Sequence, residues 1–166
     1  MRTKQSQFLL VLLLLSCLLI DCQSTEQSQS TINKEKQLIK SIFNEHWKAY
    51  ELRDIPRWSK MFSTSGDLYM FGTESSEVYR SISEDEANMK NQWKTVFPVK
   101  CYDLQNESII LSKDCTLASM LCEVPMDFTV NGKLTHVLLR FACTFRKENG
   151  EWKDVHAMFA SVSGSS

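Results

Sequence analysis

The chain carries no excess of basic residues. Its 166 residues include 19 Lys and Arg against 20 Asp and Glu, a net charge of −1. Without residues 1–24, which hold Arg2, Lys4 and Asp21, 17 basic and 19 acidic residues remain. That balance cannot hold a phosphate backbone by counterion release, so nucleic acid is not an expected partner. Metal-ligand spacings are missing as well. Six cysteines occur without a CxxC pair or a Cys/His ligand spacing, so no zinc site is expected, and no cofactor. No internal repeat is visible. No apolar run is long enough to span a membrane comfortably: Phe8 to Ile20 is 13 residues, interrupted by Ser16 and Cys17. Against these absences, 43% of the residues are hydrophobic, enough for one domain with a real core.

The N-terminus reads as an export signal, residues 1–24. Arg2 and Lys4 form a positive n-region and Phe8 to Ile20 the apolar h-region. Two processing routes fit. Leu14-Leu15-Ser16-Cys17 matches a lipobox, which would leave a lipid on Cys17. Cys22 and Ser24 instead suit cleavage before Thr25. The expected location is outside the cytoplasm, secreted or periplasmic, with membrane attachment only through the signal segment or that lipid. Residues 25–31 are polar and read as a tether, and the domain is expected over 32–163.

Ile39, Ile42, Phe43, His46, Trp47 and Tyr50 follow helical spacing, predicting a first helix over about 32–53 with His46 and Tyr50 on its apolar face. Asp54 is a candidate N-cap for a short second helix opened by Pro56. Short strands are predicted at 68–71 and 77–79. A capping box from Ser83 to Glu86 should start a third helix running to about Phe97, where Pro98 stops it. Everything beyond reads as strand: 99–111, 115–130, 134–147 and 151–162. Asn131-Gly132 and Asn149-Gly150 are two-residue hairpin turns.

The second turn pairs Glu148 with Glu151. An unbroken register then sets Phe145 across from Asp154, Cys143 from His156 and Phe141 from Met158. The first turn sets Met120 across from Cys143 and Cys122 from Phe141. Alternation puts these side chains on one face, taken as the interior. Cys101, Cys122 and Cys143 share it without directly opposing one another, and Cys115 points outward, so free thiols are expected. Asn106-Glu107-Ser108 is a glycosylation sequon in mid-strand.

The final hairpin, with Trp152 after a charged turn and His156 four residues on, resembles that of SnoaL-like domains of the nuclear transport factor 2-like superfamily. Phe62-Ser63, Tyr69 to Thr73 and Glu77-Val78-Tyr79 add to the resemblance. It implies an α+β fold: three N-terminal helices packed against a strongly curved antiparallel sheet that forms a cone. It also implies a homodimer through the outer sheet face, here Leu121, Leu138, Ala142, Ala157 and Phe159. The implied ligand pocket is His46, Tyr50, Met70, Trp93, Met120, Phe141, His156 and Met158. In ketosteroid-isomerase-like relatives a carboxylate base stands where this chain has Met70, and the partner tyrosine falls near His46, so that activity is not expected.

Two functional readings follow. A pocket face rich in Met, Phe, Cys and Trp, with few polar groups, favours an exported domain that binds a small, largely apolar molecule. The alternative is an enzyme, a cyclase, dehydratase or isomerase-like lyase, using His156 with Asp154 or His46. A structural or interaction role is the third reading.

Overall fold

Both Asn-Gly turns form. Asn131 and Gly132 have φ of 51° and 79°, and Asn149 and Gly150 have φ of 50° and 85°. Two successive left-handed residues suit the twist of the strands they join. The computed structural model describes residues 29–162, apart from the side chain of Pro98. The export segment, Cys17, Cys22 and residues 25–28 of the tether lie outside the described residues.

Residues 29–52 are helical (α1). Residues 29–31, expected in the tether, are thus helical. Next come α2 (Ile55–Ser59), β1 (Tyr69–Phe71), β2 (Val78–Tyr79) and α3 (Ile82–Gln92). Five strands complete the fold: β3 (Val96–Cys101), β4 (Gln105–Leu111), β5 (Leu117–Val130), β6 (Lys133–Glu148) and β7 (Glu151–Val162). Among the described residues no helix is long and apolar enough to cross a membrane.

Asp54 caps α2 as expected, its Oδ1 accepting from Arg57 N at 3.1 Å. The cap of α3 lies two residues earlier than expected. Ser81 is extended and its hydroxyl accepts from Glu84 N at 3.3 Å, while Glu84 Oε2 accepts from Arg80 N at 2.7 Å. The helix also ends earlier, at Gln92. The N–H groups of Lys94 and Thr95 bond back three residues, and the chain then extends into β3. Pro98, expected to stop the helix, lies within that strand. The β3 register shifts between Val96 and Val99, where a residue with no N–H interrupts no ladder.

The sheet order is β2-β1-β7-β6-β5-β3, with β4 also on β5. The expected strand 99–111 is two strands sharing one edge of β5: Cys101 pairs with Met126 and Gln105 with Glu123. The sheet is mixed rather than purely antiparallel, because β1 runs parallel to β7. It curls strongly into a half-barrel. The β5–β6 register is the expected one, with Met120 opposite Cys143 and Cys122 opposite Phe141. Cys101, Cys115, Cys122 and Cys143 are free.

The β6–β7 register departs from expectation at one residue. Phe145 pairs with Asp154, but Thr144 pairs with His156, which leaves Val155 as an extra residue. This bulge reverses the faces of everything after it. Cys143 now faces Ala157, Ala142 faces Met158, and Phe141 faces Phe159. The cause lies on the other side of β7. Asp154 N donates to Met61 O at 2.8 Å, and Asp154 O accepts from Ser63 N at 2.9 Å. From His156 onward the neighbour is β1 instead. The strand changes partner where it bulges.

α1 packs its apolar stripe into the concave face. Ile39, Phe43 and Trp47 are buried, and the Phe141 ring lies 5.6 Å from Phe43, 4.9 Å from Trp47 and 5.2 Å from Phe159. The core continues through Met120, Val124 and Met126 of β5 and Cys143 and Phe145 of β6.

Candidate functional site

The residues expected to form one pocket lie in separate places. His156 and Met158 are exposed on the outer sheet face, in a shallow recess with Tyr69, Phe71 and Ala142. The Val155 bulge is the reason. Met70 and Met120 are completely buried in the core, and Phe141 is packed between α1 and the sheet. Trp93 is buried and borders a shallow surface recess with Arg53, Ile55 and Phe97. His46 is buried against Trp58, 3.3 Å between ring centroids, and borders an outer groove. Burial holds its pKa well below the usual histidine range, with the Trp58 backbone opposing. Asp154, opposite Phe145, is 1% exposed. Burial pushes its carboxyl well above the carboxylate range. The Cys143 thiol and His156 N–H temper the shift but close no hydrogen bond of ordinary geometry. His156, Asp154 and His46 therefore share no cleft.

The outer groove, about 700 Å³, is the larger opening on this part of the surface. It is open, and four of its charged residues pair with each other: Arg57 with Glu45, and Lys153 with Glu151. A smaller cavity, about 440 Å³, lies between α1, α3 and the concave sheet. One wall is apolar: Met126 and Phe128 of β5, Val137 and Leu139 of β6 and Phe159 of β7. The other is polar, with Tyr50 from α1, Glu77 and Tyr79 from β2 and the loop before it, and Asp85 and Gln92 from α3. Tyr50 is the member of the expected pocket that lines this cavity.

Local structure aims these groups. Asp85 sits between Ile82 and Met89 on the buried stripe of α3, and is 4% exposed. Its Oδ2 accepts from Trp58 Nε1 at 2.6 Å, a bond joining α2 to α3. Gln92, two turns on, donates Nε2 to Glu77 Oε1 at 2.9 Å, and its Oε1 lies 3.5 Å from the Tyr50 hydroxyl. Glu77 also accepts from Glu74 N at 3.1 Å and closes over Gly72, where any Cβ would collide with its side chain. The Tyr79 hydroxyl and the Trp47 indole N–H are buried without hydrogen-bond partners.

Burial pushes the Asp85 carboxyl up to about 6; the Trp58 hydrogen bond opposes this, and the charges of Glu86 and Glu77 add to it. Tyr50 is raised to about 12, first by burial and then by Cys101, Asp85 and Glu77. Tyr79 is raised by burial and by Glu77 and Asp85. A carboxyl titrating at about 6, with one oxygen fixed, can hold or release a proton near neutral pH. Among the described residues no group of three or more His, Cys, Asp or Glu is placed to hold a metal.

The fold and this cavity define a class. The SnoaL-like domain family matches residues 39–162, and the chain belongs to that family. No curated protein matches it. Among solved structures, a nuclear transport factor 2-like superfamily protein from Salmonella enterica superposes with a TM-score of 0.71 at 16% identity, covering 81% of this chain and 96% of that one. A ketosteroid isomerase-like protein from Erwinia carotovora atroseptica gives 0.66 at 16% identity, covering 80% and 99%. A candidate scytalone dehydratase from Novosphingobium aromaticivorans gives 0.69 at 12% identity, covering 81% and 88%. At these identities the likeness establishes the fold.

Sequence reasoning missed Glu77, Tyr79, Asp85 and Gln92 as cavity residues. One signal was available for Asp85. It occupies the stripe of Ile82, Met89 and Trp93, three residues after the first and four before the second. An acid on an apolar helical stripe is either misplaced or functional.

Proposed function

We propose that the chain is a small-molecule binding protein that holds its ligand in the cavity between α1, α3 and the concave sheet. The observation that carries this reading is the division of one 440 Å³ space into an apolar wall and a convergent polar wall. Cavities of roughly 300–1,000 Å³ built this way take small molecules, the apolar wall supplying burial and the polar groups orientation. Native mass spectrometry on protein purified from its source tests it. A retained small molecule, lost in a Leu139→Trp variant that still folds, is the expected result. An empty wild-type protein, or retention unaffected by Leu139→Trp, counts against the cavity.

A second reading, an enzyme, is favoured by Asp85 alone. Its raised pKa and its Trp58 anchor suit general acid–base work on a bound ligand. Asp85 takes the place of the His156, Asp154 and His46 grouping, whose members lie apart. Turnover of the retained ligand by the parent and not by Asp85→Asn would select this reading over binding alone.

A further inference from the structure

The cavity is bordered by Glu74, Glu77 and Asp85, and its lining includes no Lys, Arg or His. Two of the three acids are accounted for. Glu74 is exposed, and Glu77 is held by Gln92 and the backbone of its own loop. Asp85 is different. Its Oδ2 accepts from Trp58 of α2, and the residue is 4% exposed. The ionisable groups that face it are Glu86 on its own helix, Glu77 from the loop before β2, Tyr79 from β2 and Tyr50 from α1. None of these is a cation. A buried carboxylate without a counter-charge is costly, and a partner ion relieves that cost.

The surroundings point to what the partner is. The Tyr79 hydroxyl, on a residue 7% exposed, is buried without a hydrogen-bond partner and can accept one. The rings of Trp47, Tyr50, Tyr79, Phe128 and Phe159 border the same space. Aromatic faces attract cations, most strongly where water is excluded. A ligand anion would meet three carboxylates and no donor cation. A neutral ligand would leave Asp85 uncompensated.

We infer that the ligand of this cavity is an organic cation, an ammonium group on an apolar body. Its charge sits between Asp85 and the aromatic faces, and its body lies along Phe128, Val137 and Leu139. The inference rests on the cavity being a ligand site. Binding draws on the ionised form of Asp85, which a bound cation favours, so affinity falls as Asp85 takes up its proton.

The experiment is calorimetric titration of the purified protein with three probes of similar shape: phenethylammonium, phenethyl alcohol and hydrocinnamate. At about pH 7.5 the ammonium should bind about ten-fold tighter than the alcohol, and hydrocinnamate weaker than both. The margin should shrink to about two-fold at about pH 5, where Asp85 is mostly protonated. Asp85→Asn should keep alcohol binding and lose the preference. If that variant fails to fold, the pH dependence in the parent decides. Equal affinity for ammonium and alcohol at the higher pH overturns the cation inference and leaves the cavity standing. Binding of none of the three overturns the cavity reading, and the inference with it.

Discussion

Trp58 donates its indole N–H to Asp85 Oδ2 across 2.6 Å, tying α2 to α3 at the wall of the cavity. Both residues are buried, and the same indole lies against the ring of His46. Replacing Trp58 by Phe keeps a ring and removes the N–H. Asp85 then loses the bond that holds its pKa down, so its titration should move above about 6. Stability at neutral pH should fall by about 1–3 kcal/mol, the usual cost of an unsatisfied buried group. Side-chain carbonyl shifts followed by NMR against pH provide the check, and an unchanged midpoint would sink the assignment.

Asp85 also makes stability depend on pH in a predictable direction. Its pKa is about 6 in the fold against an ordinary 3.8. Between those values the folded chain holds a proton the unfolded chain has released, so stability falls as pH rises through the window. The amount is on the order of 2–3 kcal/mol. Asp154, also raised by burial, acts with the same sign. His46 is lowered by burial and acts oppositely: its contribution is complete above about pH 6.5 and is lost as pH falls. Asp85→Asn isolates the first effect. Relative to its parent the variant should gain stability from about pH 4 to about pH 6 and then level off. Urea unfolding at a series of pH values measures it, and a difference independent of pH would contradict it.

His156 and Trp47 should separate cleanly. His156 is exposed on the outer face, so His156→Ala should change stability by less than about 0.5 kcal/mol and leave ligand affinity alone. Trp47 is buried against Phe43, Tyr50, Trp58 and Phe141 and borders the cavity. Trp47→Ala should cost about 3–5 kcal/mol. Chemical denaturation of the pair decides. A large loss in His156→Ala would mean that β7 carries no bulge at Val155.

The outer sheet face should pair with a second copy. Phe71, Leu121 and Met158 are 45%, 54% and 52% exposed there, more apolar surface than a solvated sheet face usually shows. Ala157 and Phe159, expected on this face, belong to the interior because of the bulge. Light scattering at micromolar concentration should report a dimer, and Leu121→Glu a monomer. A parent protein that is already monomeric would leave this face without the expected partner.

Export predicts that the mature protein lacks at least residues 1–16, from the n-region, the apolar run and the two processing sites. Intact mass of the natively produced protein tests it. A mass that retains Met1 through Ser16 would count against processing.

The elements were legible because their signals are local. Asn-Gly twice, an Asp before Ile-Pro and the helical spacing of Ile39, Phe43 and Trp47 each act within a few residues, and each forms as read. The β5–β6 register followed from its turn because nothing interrupts that ladder over its full length. Local strength also misled: Ser83 to Glu86 is a good capping pattern, but Ser81 reaches the helix first. The cavity was not legible because one residue decides it. Whether β7 bulges at Val155 depends on Met61 and Ser63, some ninety residues away, bonding the backbone of Asp154. Strand alternation has a period of two, so that single insertion sends His156 to solvent and Phe159 to the interior. The polar wall likewise exists only in three dimensions. Glu77 is an ordinary surface acid by sequence, and Asp85 an acid set on an apolar helical stripe; the two become a cavity wall where α3 meets Trp58 and the curled sheet.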